Sequence, residues 1–375
     1  MKYSLTILLV PFLTILLSIT AQANIPMLDS KLDNSLHNAL DNKYGLNTED
    51  HLDEHFSPAI NAFWNKHAQT KTFESEVGGA INTVHIKTGQ PNAIVISQGR
   101  SESVLKYKEL AFDLTNQGYD VFLIDHRGQG FSSRLGGDAY RGHVEAFDDY
   151  ITDLTTFVTS LQLDKHYQSR FLLSHSMGSA ISALYLEKQQ HPFTAAVFFS
   201  PMFSINLGGM PSFIAKAVSY ISDLFCRWFS DVACYAPGVG PYAKTAFDQN
   251  ILTSSEKRHQ SVLNTFNDAP ETQLGGPTMR WVNESLSATE KAIENAVKIN
   301  IPVMIIKAGA DQVVTEIGQN AFFDRTNNCK KNRLISIEDA RHELLLEQDK
   351  YRIPAINQAL DFFQQSQQGN LSCIK

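Results

Sequence analysis

Charge is scarce in this chain and shows no basic excess: charged residues make up 19% of it and the net charge is -7. That balance excludes nucleic acid, or an anionic membrane surface, as a partner held by electrostatics. No basic run and no interleaved aromatic-basic patch offsets it. Cysteine is also scarce, with four in 375 residues. The four form neither tight pairs nor clusters with histidine, so zinc is not expected. No internal repeat is visible, and Gly128-Gln129-Gly130 lacks the further glycine of a dinucleotide fingerprint. It reads as a turn. Neither a metal nor a cofactor is expected.

What is present begins with a targeting pattern. Lys2 precedes an apolar run from Leu5 to Ile19, and Ala21-Gln22-Ala23 fits a small-x-small cleavage site. The run is shorter than the roughly 20 residues a spanning helix needs, and Pro11 interrupts it. Residues 1–23 are therefore expected to be a signal peptide, with Asn24 the mature start and an uncleaved anchor the alternative. No cysteine near the site suggests a lipid anchor. Export to the periplasm or outside the cell, with or without membrane association, is the expected localisation. In an oxidising compartment Cys226, Cys234, Cys329 and Cys373 admit three pairings. Cys226 with Cys234 and Cys329 with Cys373 is favoured, because each pair falls within one inferred region.

Asp29 to His67 has a helical, amphipathic pattern, expected as a brace against the core. Lys71 to Lys87 alternates like a hairpin around Gly78-Gly79. Apolar runs then follow at Ala93–Ser97, Asp120–Ile124, Arg170–Leu173 and Ala195–Ser200, with helical segments at Val104–Gln117 and Ala146–Leu161. Two further strands are expected at Pro302–Lys307 and Arg333–Ile337. Alternating buried strands and crossover helices give an α/β class with a mostly parallel, doubly wound sheet. The rhythm breaks after Met202. Residues 24–202 and 302–375 are thus expected to form a core, and 203–301 an inserted cap.

Ser174-His175-Ser176-Met177-Gly178 lies between the apolar strand Arg170–Leu173 and a helix rich in small residues, Ser179 to Leu186. A serine on a sharp strand-to-helix turn is the nucleophile elbow of the α/β-hydrolase fold. Such a serine needs a base and an acid, supplied in this fold in the order Ser, Asp or Glu, His. His342 follows the strand Arg333–Ile337 in a terminal loop, before a helix expected from Glu343. Asp311 follows Val303–Lys307 in a Gly-x-Asp turn, and Glu338 and Asp339 stand as runners-up too close in sequence to His342. The catalytic candidates are therefore Ser176, Asp311 and His342. For the oxyanion, the N–H groups of Met177 and Arg100 are the candidate donors, Gly99 letting the loop Gln98–Ser103 bend close. His175 is expected to point away and support the turn.

Several motifs resemble the bacterial lysophospholipases of the L-two type, relatives of the monoacylglycerol lipases. They are Gly99-Arg100-x-Glu102-Ser103, Asp125-x-Arg127-Gly128-x-Gly130-x-Ser132, the elbow, and Ala340-Arg341-His342-Glu343. In the cap, Phe247-Asp248-x-Asn250-x-Leu252-Thr253 and Leu274-Gly275-Gly276-Pro277-Thr278-x-x-Trp281 are the narrower signal. The likeness spans about Gln90 to Glu347. It implies cofactor-free hydrolysis of the fatty-acyl ester of a lysophospholipid through an acyl-enzyme. A monoacylglycerol or general carboxylic ester is the alternative substrate, and acyl transfer to a second alcohol a more distant one.

Phe213, Ile214, Ala217, Val218, Ile221, Leu224, Phe225, Trp228 and Phe229 recur at helical spacing on one face. Either the stripe packs the cap onto the core, or it lines an acyl tunnel or dips into a lipid surface. Gly99, Phe213, Ile214, Ile221 and Phe225 are accordingly the candidate substrate-binding residues, and peripheral membrane contact through the cap is expected.

Overall fold

The computed structural model describes residues 41–188, 190–371 and 373. The expected signal peptide, and the brace up to residue 40, lie outside them. The described residues form one compact unit.

Eight strands make a single sheet: β1 (Ala68–Glu74), β2 (Ala80–Ile86), β3 (Asn92–Ser97), β4 (Tyr119–Ile124), β5 (Ser169–His175), β6 (Ala195–Phe199), β7 (Val303–Ala308) and β8 (Arg333–Ile337). Their order is β1-β2-β4-β3-β5-β6-β7-β8, with β1 and β2 antiparallel and the rest parallel. Runs such as Ala93-Ile94-Val95-Ile96 and Ala195 to Phe199 are buried on both faces. Parallel strands covered by helices on both sides carry such unbroken apolar runs.

The helices are α1 (Pro58–His67), α2 (Lys108–Asn116), α3 (Asp148–Leu161), α4 (Leu163–His166), α5 (Met177–Lys188), α6 (Ser212–Phe229), α7 (Glu256–Asp268), α8 (Met279–Asn295), α9 (Glu316–Arg325) and α10 (Asp349–Gln367). One core unites α3, α5 and α8 with the sheet through Leu154, Ile181, Ala288 and Ala292. A second lies on α2 and α10 through Leu110, Ile353 and Phe363. The antiparallel hairpin, the six later strands and the turn at Gly128 to Gly130 stand where the sequence put them.

Three expectations need correction. Among the described residues of the brace, 41–67, helix is confined to α1 and a short turn at Glu49–His51. Pro58 and the Ser57 hydroxyl, which accepts from Ile60 N–H, start α1. Before it the chain is tied to α2 by side chains, Asn47 N–H donating to Asp113 and Asn47 Nδ2 to Glu109. The helix placed directly after His342 is a single 3-10 turn, Leu344–Leu346, before α10. Nor is 203–301 all cap, because Trp281, Ala288 and Ala292 of α8 belong to the core beneath the sheet. Its apolar face is complementary to α5, so it serves as the crossover helix between β6 and β7.

The cysteines pair as favoured, Cys226 with Cys234 and Cys329 with Cys373. Among the described residues no helix is long and apolar enough to cross a membrane.

Candidate active site

β5 runs into α5 through Ser176, whose φ is +49°. A non-glycine residue held in this region is strained and persists where its surroundings fix it. Ser176 N–H donates to Phe199 O at 3.0 Å, and Ser176 O accepts from Ser179 and Met202 N–H. A Cβ on Gly178 would stand 2.1 Å from Ser97 O, so only glycine lets β3 approach the elbow. At the other elbow position Ser174 is accommodated by donating to, or accepting from, the Ser182 hydroxyl at 2.7 Å.

His342 arrives in the loop after β8 and Asp311 in the turn after β7. Ser176 Oγ lies 2.9 Å from His342 Nε2, and His342 Nδ1 lies 2.8 Å from Asp311 Oδ2. All three side chains sit at the carboxyl ends of strands, 31 and 166 residues apart in the two contacts. Asp311 Oδ1 accepts from Val313 and Val314 N–H. Burial works against its ionisation, but the His342 hydrogen bond and charge, with those two N–H groups, hold its pKa below the usual value. The runners-up do not compete, since it is Asp311 that meets the imidazole.

Met177 follows the serine as the first residue of α5, and Arg100 lies in the loop after β3. At Gly99 the N–H donates to Glu102 Oε2 at 2.7 Å and the carbonyl accepts from Gln129 Nε2 at 2.7 Å. A Cβ there would stand 2.9 Å from His175 Nδ1, so glycine lets the loop pass close to the elbow.

Beneath the loop lies a buried ionic cluster that sequence reasoning found only in outline. His175 Nδ1 is 2.9 Å from Glu102 Oε1, and its Nε2 is 3.2 Å from the carbonyl oxygen of His342. Lys106 donates to Glu102 at 2.9 Å and to Glu343 at 2.7 Å, and Tyr107 donates to Glu102. Burial pushes the His175 pKa down, but Glu102 and Glu343 outweigh it and raise it to about 9. A charged imidazole can donate from both nitrogens. The cluster therefore couples elbow, oxyanion loop and the main chain of the base. Glu102, His175 and Glu343 have donor types that could hold a metal, but the Lys106 ammonium already bridges the two carboxylates.

For the cap residues it is the tunnel reading of the stripe that needs correction. Phe213, Ile214, Ile221 and Phe225 are 70%, 41%, 52% and 56% exposed, facing outward rather than into a tunnel. The inner face of α6 is Ala215, Ser219, Asp223 and Cys226. Specific polar and covalent anchors override the apolar stripe: Asp223 meets Arg280 of α8, and Cys226 is bonded to Cys234.

The family described as serine aminopeptidase, S33 (Hydrolase_4), matches residues 89–349. The lysophospholipase L2 of Escherichia coli (strain K12) is 38% identical over 285 residues, spanning 74% of this chain and 83% of that protein. A probable lysophospholipase L2 of Haemophilus influenzae is 32% identical, over 69% and 79%. A soluble variant of the monoglyceride lipase of Saccharomyces cerevisiae, solved with a substrate analog, superposes with a TM-score of 0.60 at 18% identity, over 80% and 95% of the two chains. That last likeness is one of fold.

Proposed function

Since the chain belongs to the S33 (Hydrolase_4) family of α/β-hydrolases, with the L2 lysophospholipases among its relatives, we propose that it hydrolyses the fatty-acyl ester of lysophospholipids through an acyl-enzyme. The observation that carries this reading is the unbroken chain Ser176 Oγ, His342, Asp311.

In it, His342 Nε2 takes the proton of Ser176 as Oγ attacks the ester carbonyl. Asp311 keeps the Nδ1 proton in place and offsets the charge of the imidazolium. The N–H groups of Met177 and Arg100 stabilise the oxyanion; losing one such donor costs about a hundred- to a thousandfold in turnover. The imidazolium returns its proton to the leaving glycerol oxygen, and the same base then activates water to release the fatty acid. No step calls for a cofactor.

The outward apolar face of α6 supports peripheral contact with a lipid surface, where such substrates reside. Phe213, Trp228 and Phe229 are 70%, 77% and 80% exposed, and burying each would contribute roughly 1.5–3 kcal/mol. Such contact would not need basic charge. Two disulfides support export, since they persist in oxidising compartments.

Fatty-acid release from lysophosphatidylcholine and from monoacylglycerol, by the parent and by Ser176→Ala, tests the reading. Faster release from the phospholipid, abolished in the variant, is expected. Preference for monoacylglycerol would keep the mechanism and move the substrate, while release by the variant at the parental rate would remove Ser176 as nucleophile.

A further inference from the structure

Three buried arginines have their charge answered by carboxylates. Arg127 meets Asp153 at 2.7 Å, Arg258 meets Glu109 at 2.9 Å and Asp349 at 2.8 Å, and Arg352 meets Asp113 at 2.6 Å. Buried cations are normally paired in this way, because desolvating a charge is costly. Arg100, half-buried in the loop after β3, meets no carboxylate. Its Nη1 donates to the Ser101 hydroxyl at 2.9 Å and its Nη2 to the Gly275 carbonyl at 2.6 Å, both neutral acceptors. The guanidinium stacks 5.1 Å over Trp281, and its Nε is buried without a partner. Desolvation pushes its pKa down to about 10, with only Tyr150 and Tyr235 opposing. The Tyr235 hydroxyl is likewise buried without a partner. Beside the guanidinium lies bare backbone: a Cβ on Gly142 would stand 2.2 Å from Nη2.

This cation belongs to the residue whose N–H is the proposed second oxyanion donor, on the loop after β3. From that N–H nitrogen to the guanidinium carbon is about six bonds, a span of about 6–7 Å. In a lysophospholipid, the ester carbonyl carbon and the phosphorus are likewise separated by about six bonds across the glycerol. One residue thus has the reach to hold both ends of the headgroup half of the substrate. We propose that the Arg100 side chain is the recognition group for the anionic phosphodiester of the substrate, and so the residue that separates lysophospholipids from uncharged monoacylglycerols. The proposal rests on the lysophospholipase reading above. A monoacylglycerol has no anion to compensate the guanidinium, so it gains nothing from the site.

The test uses binding, which needs no turnover. Ser176→Ala protein is titrated with lysophosphatidylcholine and with the monoacylglycerol of the same acyl chain, both below their aggregation limits, and the titrations are repeated with Arg100→Met and Arg100→Lys added. The ratio of phospholipid to monoacylglycerol affinity is expected to fall roughly tenfold or more in Arg100→Met, as for loss of a charged hydrogen bond. Arg100→Lys, which keeps the charge without the planar fork, should recover part of it. An unchanged ratio, with both affinities falling together, would make Arg100 a strut between oxyanion loop and cap and overturn the proposal. Glycerophosphocholine should compete with the phospholipid. Equal competition by inorganic phosphate would assign the cation to free phosphate and overturn the headgroup assignment. Failure of the hydrolase reading would show separately, as absence of fatty-acid release by the parent.

Discussion

Asp311 and His175 stand on opposite sides of the same base and do different work. Asp311 holds the imidazole edge of His342, so Asp311→Asn should leave binding intact and lower turnover about a thousand- to ten-thousandfold, by favouring the wrong tautomer. Steady-state kinetics with KM unchanged would show this, and a loss confined to KM would contradict it. His175 holds the His342 main chain and Glu102. Its pKa is raised in the fold from 6.5 to about 9, so the stability it adds is fully present below its ordinary value and lost as pH rises through the folded one. The Tm gap between the parent and His175→Gln should therefore be widest near pH 6 and narrow towards alkaline pH. A gap independent of pH would contradict the charged form. Ser176, Asp311 and His342 were legible because chain order and strand ends are written in sequence. The Glu102–His175 pair was not, since it joins residues 73 apart and carries no local periodicity.

Helix α6 shows where element-level reading fails. Its residues have the spacing of an amphipathic helix, and the helix formed as expected over Ser212–Phe229. Periodicity identifies an apolar face without saying which way it turns. Here the Cys226–Cys234 bond and the Asp223 contact with Arg280 of α8 hold the polar side inward. The exposed side then has Phe225, Trp228 and Phe229 close enough for aromatic contact. Replacing these three by serine should weaken sedimentation with zwitterionic lipid vesicles by well over tenfold, given roughly 1.5–3 kcal/mol per inserted side chain. Vesicle binding insensitive to the triple substitution would rule out α6 as the contact. The α8 boundary was missed for a related reason: a helix that crosses back beneath the sheet looks, in sequence, like one more cap helix.

Across the whole molecule, the N-terminal region, α2, α7 and α10 are joined by buried charges. Arg258 on α7 donates to Glu109 on α2 and to Asp349 on α10, and Arg352 reaches Asp113 and Asn47 O. These contacts tie part of the β6–β7 crossover to the same frame that carries the active-site loops. Removing one member of such a network leaves the other buried and unpaired, which costs about 3–5 kcal/mol. Arg258→Met should lower the free energy of unfolding by that order, read from the midpoint of a denaturant titration; a shift near zero would mean the carboxylates find water or other partners. The mostly parallel sheet and the sites at its carboxyl edge followed from alternation of strand and helix, while the strand order and these long-range charge contacts had no signature short of the fold.

The central claim is that Ser176 carries the acyl group of a lysophospholipid. It is tested most directly by quenching the enzyme with acid during turnover of lysophosphatidylcholine and mapping the acyl mass by peptide mass spectrometry. The account predicts one fatty-acyl adduct, on the peptide containing Ser176 and absent in Ser176→Ala. Fatty acid released with the adduct on another residue, or persisting in that variant, would contradict it.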